Sequence, residues 1–260
     1  AADSLKETNI DEMIMSISTR LSEGYEAKRV PFDQLHLLAT NNEYHWCSHH
    51  FQGEIRRAEN ALPLFNMIVL DIDGTMPLNV AQDLLKQYRA FFYTTKSHTE
   101  EVHRYRIILP INYEVEMDRE EYNACMDAVL QTLPFECDPA TKDIARKWMC
   151  NEGEYFYQEG ELFDILPFIP NTSRSDERHQ AFQNQSDLDN LERWVLNHTG
   201  SGNRNDQIYK YAMVLADAGK SLEQIGELAR SLNNKLSDRL SDEEIMNTVL
   251  KSVSNKMNRK

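Results

Sequence analysis

Asn66-Met67-Ile68-Val69-Leu70-Asp71-Ile72-Asp73-Gly74-Thr75 is an apolar run that ends in two acidic residues one position apart. Successive side chains of a strand point to opposite faces, so Asp71 and Asp73 share a face with Met67 and Val69. Two carboxylates then stand side by side at a strand end. Like charges at that spacing raise each other's pKa unless a cation intervenes, and hard divalent ions take such oxygen ligands. The stretch predicts a Mg2+ or Mn2+ site. The plainer alternative is an acidic turn closing a buried strand, because Asp and Gly are also ordinary turn residues.

Working outward, Pro77 and an amphipathic pattern over 79–89 predict a helix, followed by a strand over 91–95. A polar loop, 96–102, leads to another strand over 104–109. A helix over 118–133 opens with the capping-box pair Asp118 and Glu121, and 135–138 reads as a short strand. The order β-α-β-β-α-β is that of the split ferredoxin-like (RRM-like) unit, an α+β fold. Its usual strand order, 4-1-3-2, places Asp71 and Asp73 between Asp138 on one side and the same-face pair Arg104 and Arg106 on the other. Three carboxylates and two guanidiniums on one sheet face suit phosphoryl transfer, with metals held by acids and arginines neutralising the phosphates.

Before this unit, Ile10, Met13, Ile14, Ile17 and Leu21 at helical spacing, stopped by Gly24, predict a helix over 9–23, and 32–40 a shorter one. His45, Cys47 and His49 would share one face of a strand, yet no second ligand pair stands at zinc-finger spacing. After Asp138, residues 155–157 and 162–165 read as a hairpin across Glu159-Gly160. Its aromatics could stack bases, though sheet core is their commoner fate. The polar stretch around Pro170, Asn171, Thr172, Ser173 and Ser175 reads as a linker. Beyond it the pattern is helical: 188–197, 205–218 ended by Gly219, 221–232 opened by Ser221 and Gln224, and a last helix opened by Ser241 and Glu244. The expected organisation is a catalytic domain with an N-terminal α/β extension over 1–168, a linker over 169–186 and a small all-α bundle over 187–260.

The chain has 260 residues, 41% hydrophobic and 27% charged, a globular balance. No apolar run approaches the roughly 18 residues of a membrane span, so a soluble protein is expected. The opening Ala1-Ala2-Asp3 has neither Met nor a charged-then-apolar leader, which reads as a trimmed start without a signal peptide. Cys47, Cys125, Cys137 and Cys150 lack paired spacing and fit a reducing compartment. A net charge of -14 argues against broad electrostatic attraction to nucleic acid. Basic residues nevertheless gather at Arg56-Arg57, at Arg104 with Arg106, and at Arg146-Lys147, leaving room for a local basic track.

Three stretches resemble the archaeo-eukaryotic primase superfamily in its phage- and plasmid-type primase-polymerase branch. Leu70-Asp71-Ile72-Asp73 resembles its first motif. Thr95-Lys96-Ser97-His98-Thr99, followed by Arg104-Tyr105-Arg106-Ile107-Ile108-Leu109-Pro110, resembles the second. Cys137-Asp138-Pro139, running on to Arg146, resembles the third acidic motif and its trailing arginine. Gly202-Asn203-Arg204-Asn205 and Leu240-Ser241-Asp242-Glu243-Glu244-Ile245 resemble the helical domain that often follows such cores. The resemblance implies Asp71, Asp73 and Asp138 as catalytic residues and ligands of Mg2+ or Mn2+. It implies Ser97, His98, Arg104, Arg106 and Arg146 as the nucleotide-binding set. Many members carry Ser-x-His, whereas here Ser97 and His98 are adjacent and His103 lies five residues on, so the resemblance leaves open which histidine meets the triphosphate. It further implies single-stranded DNA template, NTPs or dNTPs, a replicative helicase in the same or a partner chain, and the cytoplasm of a bacterial host. No G-x-x-x-x-G-K-[ST] P-loop occurs in the sequence.

Two other readings compete. Asp71-Ile72-Asp73-Gly74-Thr75 also matches the D-x-D-G-T motif of haloacid-dehalogenase-type phosphatases, with Asp71 as nucleophile and Asp73 as acid and base. That fold needs further β-α units between Asp71 and Asp143 and gives the paired arginines no role. A non-catalytic single-strand binder would use the same split sheet with aromatic platforms and would need no acidic triad.

Overall fold

The computed structural model describes residues 5–259. They fall into two compact units: one holds Glu136–Asn184 and the residues before Thr132, the other Thr132–Phe135 and the chain from Gln185 onward.

The first unit is α+β, built on two antiparallel sheets. Its strands are β1 (Lys6–Glu7), β2 (Met13–Ser18), β3 (Glu26–Val30), β4 (His45–Cys47), β5 (Leu64–Asp73), β6 (Ala90–Thr94), β7 (Arg104–Glu116), β8 (Trp148–Met149) and β9 (Tyr155–Gln158). Helix α1 (Leu78–Leu84) joins β5 to β6, α2 (Arg119–Thr132) follows β7, and α3 (Ser173–Asn184) closes the unit. The smaller sheet has the order β3-β2-β4-β8; the larger runs β1-β7-β6-β9, with β5 also on β7. Met13 and Met15 of β2, Phe32 and Leu35 of a 3-10 helix over Phe32–Ala39, Met67 and Val69 of β5, and Phe91 of β6 form one buried cluster between the sheets. The face of β5 that holds Met67 and Val69 in this core delivers Asp71 and Asp73 at its end. Ile68, Leu70 and Ile72 alternate to the other face and are also buried.

The start of β5 is pinned by Asn66, fully buried at a register shift between Phe65 and Met67. Its amide oxygen accepts from the Ile14 N–H at 2.9 Å, and its amide nitrogen donates to the Glu12 carbonyl at 2.9 Å. A buried amide with both ends satisfied ties the two sheets at one register, which a lone apolar contact would not do.

Several sequence expectations are corrected. The helix expected over 9–23 is strand β2: four consecutive buried residues, Met13 to Ser16, fit a strand covered on both faces. The helical spacing of its apolar residues is coincidental, and Leu21 at the end of that pattern is exposed. The N-terminal extension therefore consists of strands and 3-10 turns. Residues 135–138 do not form a strand; one main-chain bond from Asp138 N–H to the Asp71 carbonyl, 2.8 Å, is what joins them to β5. No hairpin spans 155–165. Strand β9 pairs with β6 instead, and 161 and 163 make single bridges to Tyr88 and Ile111. Gly160 permits this close crossing, since a Cβ there would lie 2.5 Å from the Gln87 carbonyl oxygen. The stretch expected as a linker carries α3.

The second unit is helical: α4 (Asn190–His198), α5 (Arg204–Asp217), α6 (Leu222–Asn234), and α7 (Asp242–Glu244), which runs through a π-helical stretch, Ile245–Leu250, into α8 (Lys251–Met257). Ile208, Ala212, Ile225, Ala229, Ile245, Val249 and Val253 form its core. Both expected capping boxes are present, Ser221 with Gln224 and Ser241 with Glu244, so local chemistry sets where these helices begin. No helix among the described residues is long and apolar enough to cross a membrane.

Candidate active site

The β5–β7 ladder sets Asp71 opposite Arg106 and Asp73 opposite Arg104, and β6 adds Tyr93 opposite Arg106. Side chains directly opposite in an antiparallel pair reach one another. Arg104 Nε lies 2.6 Å from Asp73 Oδ1, and Arg106 Nε lies 3.4 Å from Asp71 Oδ1. The two pairs differ in burial: the Asp71 and Arg106 side chains are 15% and 12% exposed, whereas Asp73 is 68% exposed. The inner pair is the one shielded from water.

Asp138 arrives from outside the sheet. Its carboxylate accepts from the Ala140 N–H at 2.9 Å and caps a 3-10 turn over Pro139–Lys142, where Pro139 supplies the preset φ. The turn carries the chain to Arg146, whose Nη2 lies 3.2 Å from Asp138 Oδ2 and 3.9 Å from Asp71 Oδ2. Two carboxylates thus converge on one cationic nitrogen.

Aromatic residues hold the arginines in place. Arg106 Nη1 donates to the Tyr93 hydroxyl (3.1 Å) and the Met149 carbonyl (2.8 Å). The buried Trp148 ring lies 5.2 Å from the guanidinium carbons of both Arg106 and Arg146, within range of a cation–π contact. Trp46 Nε1 donates to the Tyr93 hydroxyl at 3.0 Å, fixing that oxygen in turn. Even so, the buried Nε atoms of Arg104, Arg106 and Arg146 have no aligned hydrogen-bond acceptor among the described residues. For Arg104 and Arg106 the nearby carboxylate is an ionic neighbour off the N–H direction.

The loop between β6 and β7 brings Ser97 and His98 to the same end. Backbone N–H of Arg104 donates to His98 Nδ1 at 3.0 Å, so the ring proton of the neutral form sits on Nε2. His103 accepts from the Leu78 N–H at Nδ1 and meets the Glu100 carbonyl at Nε2, which occupies both ring nitrogens. His103 thereby anchors the start of α1, and His98 is the histidine with a ring N–H to spare. A cleft of about 630 Å³ opens beside Arg106, lined among others by Thr95, Lys96, Ser97, Asn42, Asn151 and Glu152. That volume is typical of a small-molecule site.

Burial raises the Asp71 carboxyl above its ordinary range; Arg106 and Arg146 pull it back, and Asp138 and Asp73 push it up. A carboxylate so placed gains from any added positive charge. Among the described residues no three His, Cys, Asp or Glu side chains come together as a preformed metal centre. The donors are hard oxygens, however, and Asp71 and Asp138 already face one positive centre, the Arg146 nitrogen. Hard oxygens of this kind suit a hard divalent cation, although Asp71 and Asp138 face Arg146 here and Asp73 faces Arg104.

All eight expected site residues lie at this end of the larger sheet. Sequence reasoning missed Tyr93, Trp148 and the cleft residues Asn42, Asn151 and Glu152. Tyr93 was recoverable from the β6–β7 register, and Trp148 from its position two residues after Arg146; Asn42 carries no local signal. The zinc alternative finds no support, since His49 is buried between the Phe65 and Tyr122 rings. The parallel sheet that a dehalogenase-type phosphatase needs is not formed either: every pairing between named strands is antiparallel.

Residues 48–161 match the VapE N-terminal domain family, and residues 192–258 match the Primase C terminal 1 (PriCT-1) family. The first match contains every expected site residue, and the second covers the helical unit from α4 to α8. No curated protein matches the chain. The crystal structure of primase RepB' aligns over 95% of this chain and 89% of its own at 11% identity, with a TM-score of 0.33, too low to bear on the fold or the site.

Proposed function

We propose that this chain, a phage/plasmid-type primase protein, is a DNA-dependent primase or polymerase that makes primers or extends strands on a single-stranded DNA template. One observation carries the reading: Arg104, Arg106 and Arg146 meet Asp73, Asp71 and Asp138 beside an open cleft that Arg106, Lys96 and Ser97 line. Guanidinium and ammonium groups at such a cleft favour an anion, and a triphosphate offers oxygens in the geometry that arginine takes.

In this reading Asp71 and Asp138, with Asp73, hold Mg2+ or Mn2+. Such an ion neutralises phosphate charge and acidifies the attacking 3'-hydroxyl. Arg104, Arg106 and Arg146 orient the triphosphate, and Ser97 and the His98 Nε2–H donate to its oxygens. Arg146 leaves Asp71 and Asp138 for phosphate as the nucleotide enters, exchanging one anion for another. Strands β5, β7 and β6 in the order 1-3-2, with α1 and α2, are an RRM-like core whose fourth strand is reduced to the Asp138–Asp71 main-chain bond. The helical unit grips template or initiating nucleotide, a replicative helicase is the partner, and the protein works in the host cytoplasm.

The test is incubation with single-stranded template, labelled nucleoside triphosphates and Mg2+ or Mn2+, with products resolved by length. Template-dependent oligomers, absent with the Asp71→Ala, Asp73→Ala double variant, support the proposal. Phosphate release from p-nitrophenyl phosphate without oligomers overturns it.

A further inference from the structure

The cleft beside Arg106 is chemically two-ended. Lys96, Ser97 and Arg106 line it, and so do Asn42 and Glu152. A triphosphate cannot face the Glu152 carboxylate without like-charge repulsion, so a nucleotide lying in this cleft has one favoured direction. Its phosphates meet Lys96 and Arg106, and its nucleoside meets Asn42 and Glu152.

Asn42 and Glu152 are exposed, and each holds the other. Asn42 Oδ1 accepts from the Glu152 N–H at 2.7 Å, and its Nδ2 donates to Glu152 Oε2 at 3.5 Å. The loop beneath is bound on both sides. Asn151 N–H donates to the Leu38 carbonyl, Gly153 N–H to the Ala39 carbonyl, and Asn151 Nδ2 to the Thr94 carbonyl, each at 3.0 Å. A Cβ at Gly153 would stand 2.6 Å from Thr94 Oγ1, so the loop has no room for a side chain there. The Glu152 carboxylate, touched by the Asn42 amide, thus stands above a loop that main-chain bonds hold. A carboxylate accepts from sugar hydroxyls in the same manner as the acidic residue that reads the ribose of a dinucleotide.

We propose that Glu152, backed by Asn42, accepts from the ribose 2'-hydroxyl of the incoming nucleotide, so that the substrate class is the ribonucleoside triphosphates. The inference rests on the nucleotide-binding reading of the cleft. A deoxyribonucleotide lacks that hydroxyl, and loss of one charge-assisted hydrogen bond corresponds to a factor on the order of ten in affinity.

The experiment is titration calorimetry of the full chain with ATP and with dATP, both in Mg2+ and without template. Wild-type protein is expected to bind ATP on the order of tenfold more tightly than dATP. Glu152→Ala is expected to remove the difference between ATP and dATP, with partial recovery of that difference in Glu152→Asp. Equal wild-type affinities overturn the ribonucleotide assignment, and a Glu152→Ala variant that keeps the wild-type preference for ATP overturns the role of Glu152; both leave the nucleotide reading of the cleft standing. Wild-type protein that binds neither nucleotide removes the nucleotide reading of the cleft and this inference with it.

Discussion

Replacing Arg106 by Met tests whether the inner ion pair organises the first unit. Arg106 and Asp71 are 12% and 15% exposed, and Arg106 also donates to the Tyr93 hydroxyl and the Met149 carbonyl. Methionine keeps much of the volume beside the Trp148 and Tyr93 rings, so packing changes little. What changes is charge: Asp71 keeps only Arg146 at 3.9 Å as a cationic neighbour, with burial already raising its pKa. Removing one partner of a buried pair costs about 3 kcal/mol, which for a unit of this size corresponds to a Tm lower by about 6–12 °C. Trp46 and Trp148 lie beside Arg106 or its Tyr93 partner, so tryptophan fluorescence during thermal unfolding of a Trp194→Phe background follows this region. Protonating Asp71 relieves the loss. A carboxyl whose folded pKa is raised contributes stability below its unfolded pKa and loses it as pH rises through the folded one, so the deficit shrinks from pH 7 toward 4. Adding Asp71→Asn removes the stranded charge, and the double variant should recover most of the Tm. A single variant within 1 °C of wild type, or a double variant no better than the single, would refute the reasoning.

Burial pushes the His49 imidazole down to about 3, between the Phe65 and Tyr122 rings. The unfolded chain binds a proton near pH 6.5 that the folded one refuses, so stability present above 6.5 falls as pH drops toward 3. Between pH 6.5 and 4, His49→Phe should lose about 3 kcal/mol less than wild type in urea titrations; parallel curves would sink the assignment. Ser241→Ala removes the cap of α7 and should cost the helical unit about 1 kcal/mol, so an unchanged urea midpoint for that unit counts against the box. Burial pushes the thiols of Cys47, Cys125 and Cys150 up to about 12. All three should resist a disulfide reagent at pH 8 until denaturant is added, and rapid native labelling of any of them contradicts the described burial.

What the sequence made legible follows from the range of the interactions involved. The capping boxes of α6 and α7 act over three residues, so a three-residue pattern locates them. Asp71 and Asp73 were readable as a pair because strand alternation is local, and their apposition to Arg106 and Arg104 followed from one assumed strand order. Strand β2 was misread because burial on both faces erases the period-two signal. Residues 135–138 were misread because Pro139 and the Asp138 cap favour a turn over a fourth strand. Tyr155, Phe156 and Tyr157, expected as core, are each about 40% exposed on β9, which pairs only with β6 among the described residues. The contacts of Trp148 with two arginines and of Asn42 with Glu152 join residues across different loops or strands, and no local pattern announces them.

The most direct test of the central claim is Mn2+ binding followed by electron paramagnetic resonance, with a nonhydrolysable nucleoside triphosphate present. The account predicts bound Mn2+ in the wild-type protein, and its loss in both Asp71→Asn and Asp138→Asn with the fold retained by circular dichroism. Undiminished Mn2+ binding in those two variants would contradict it.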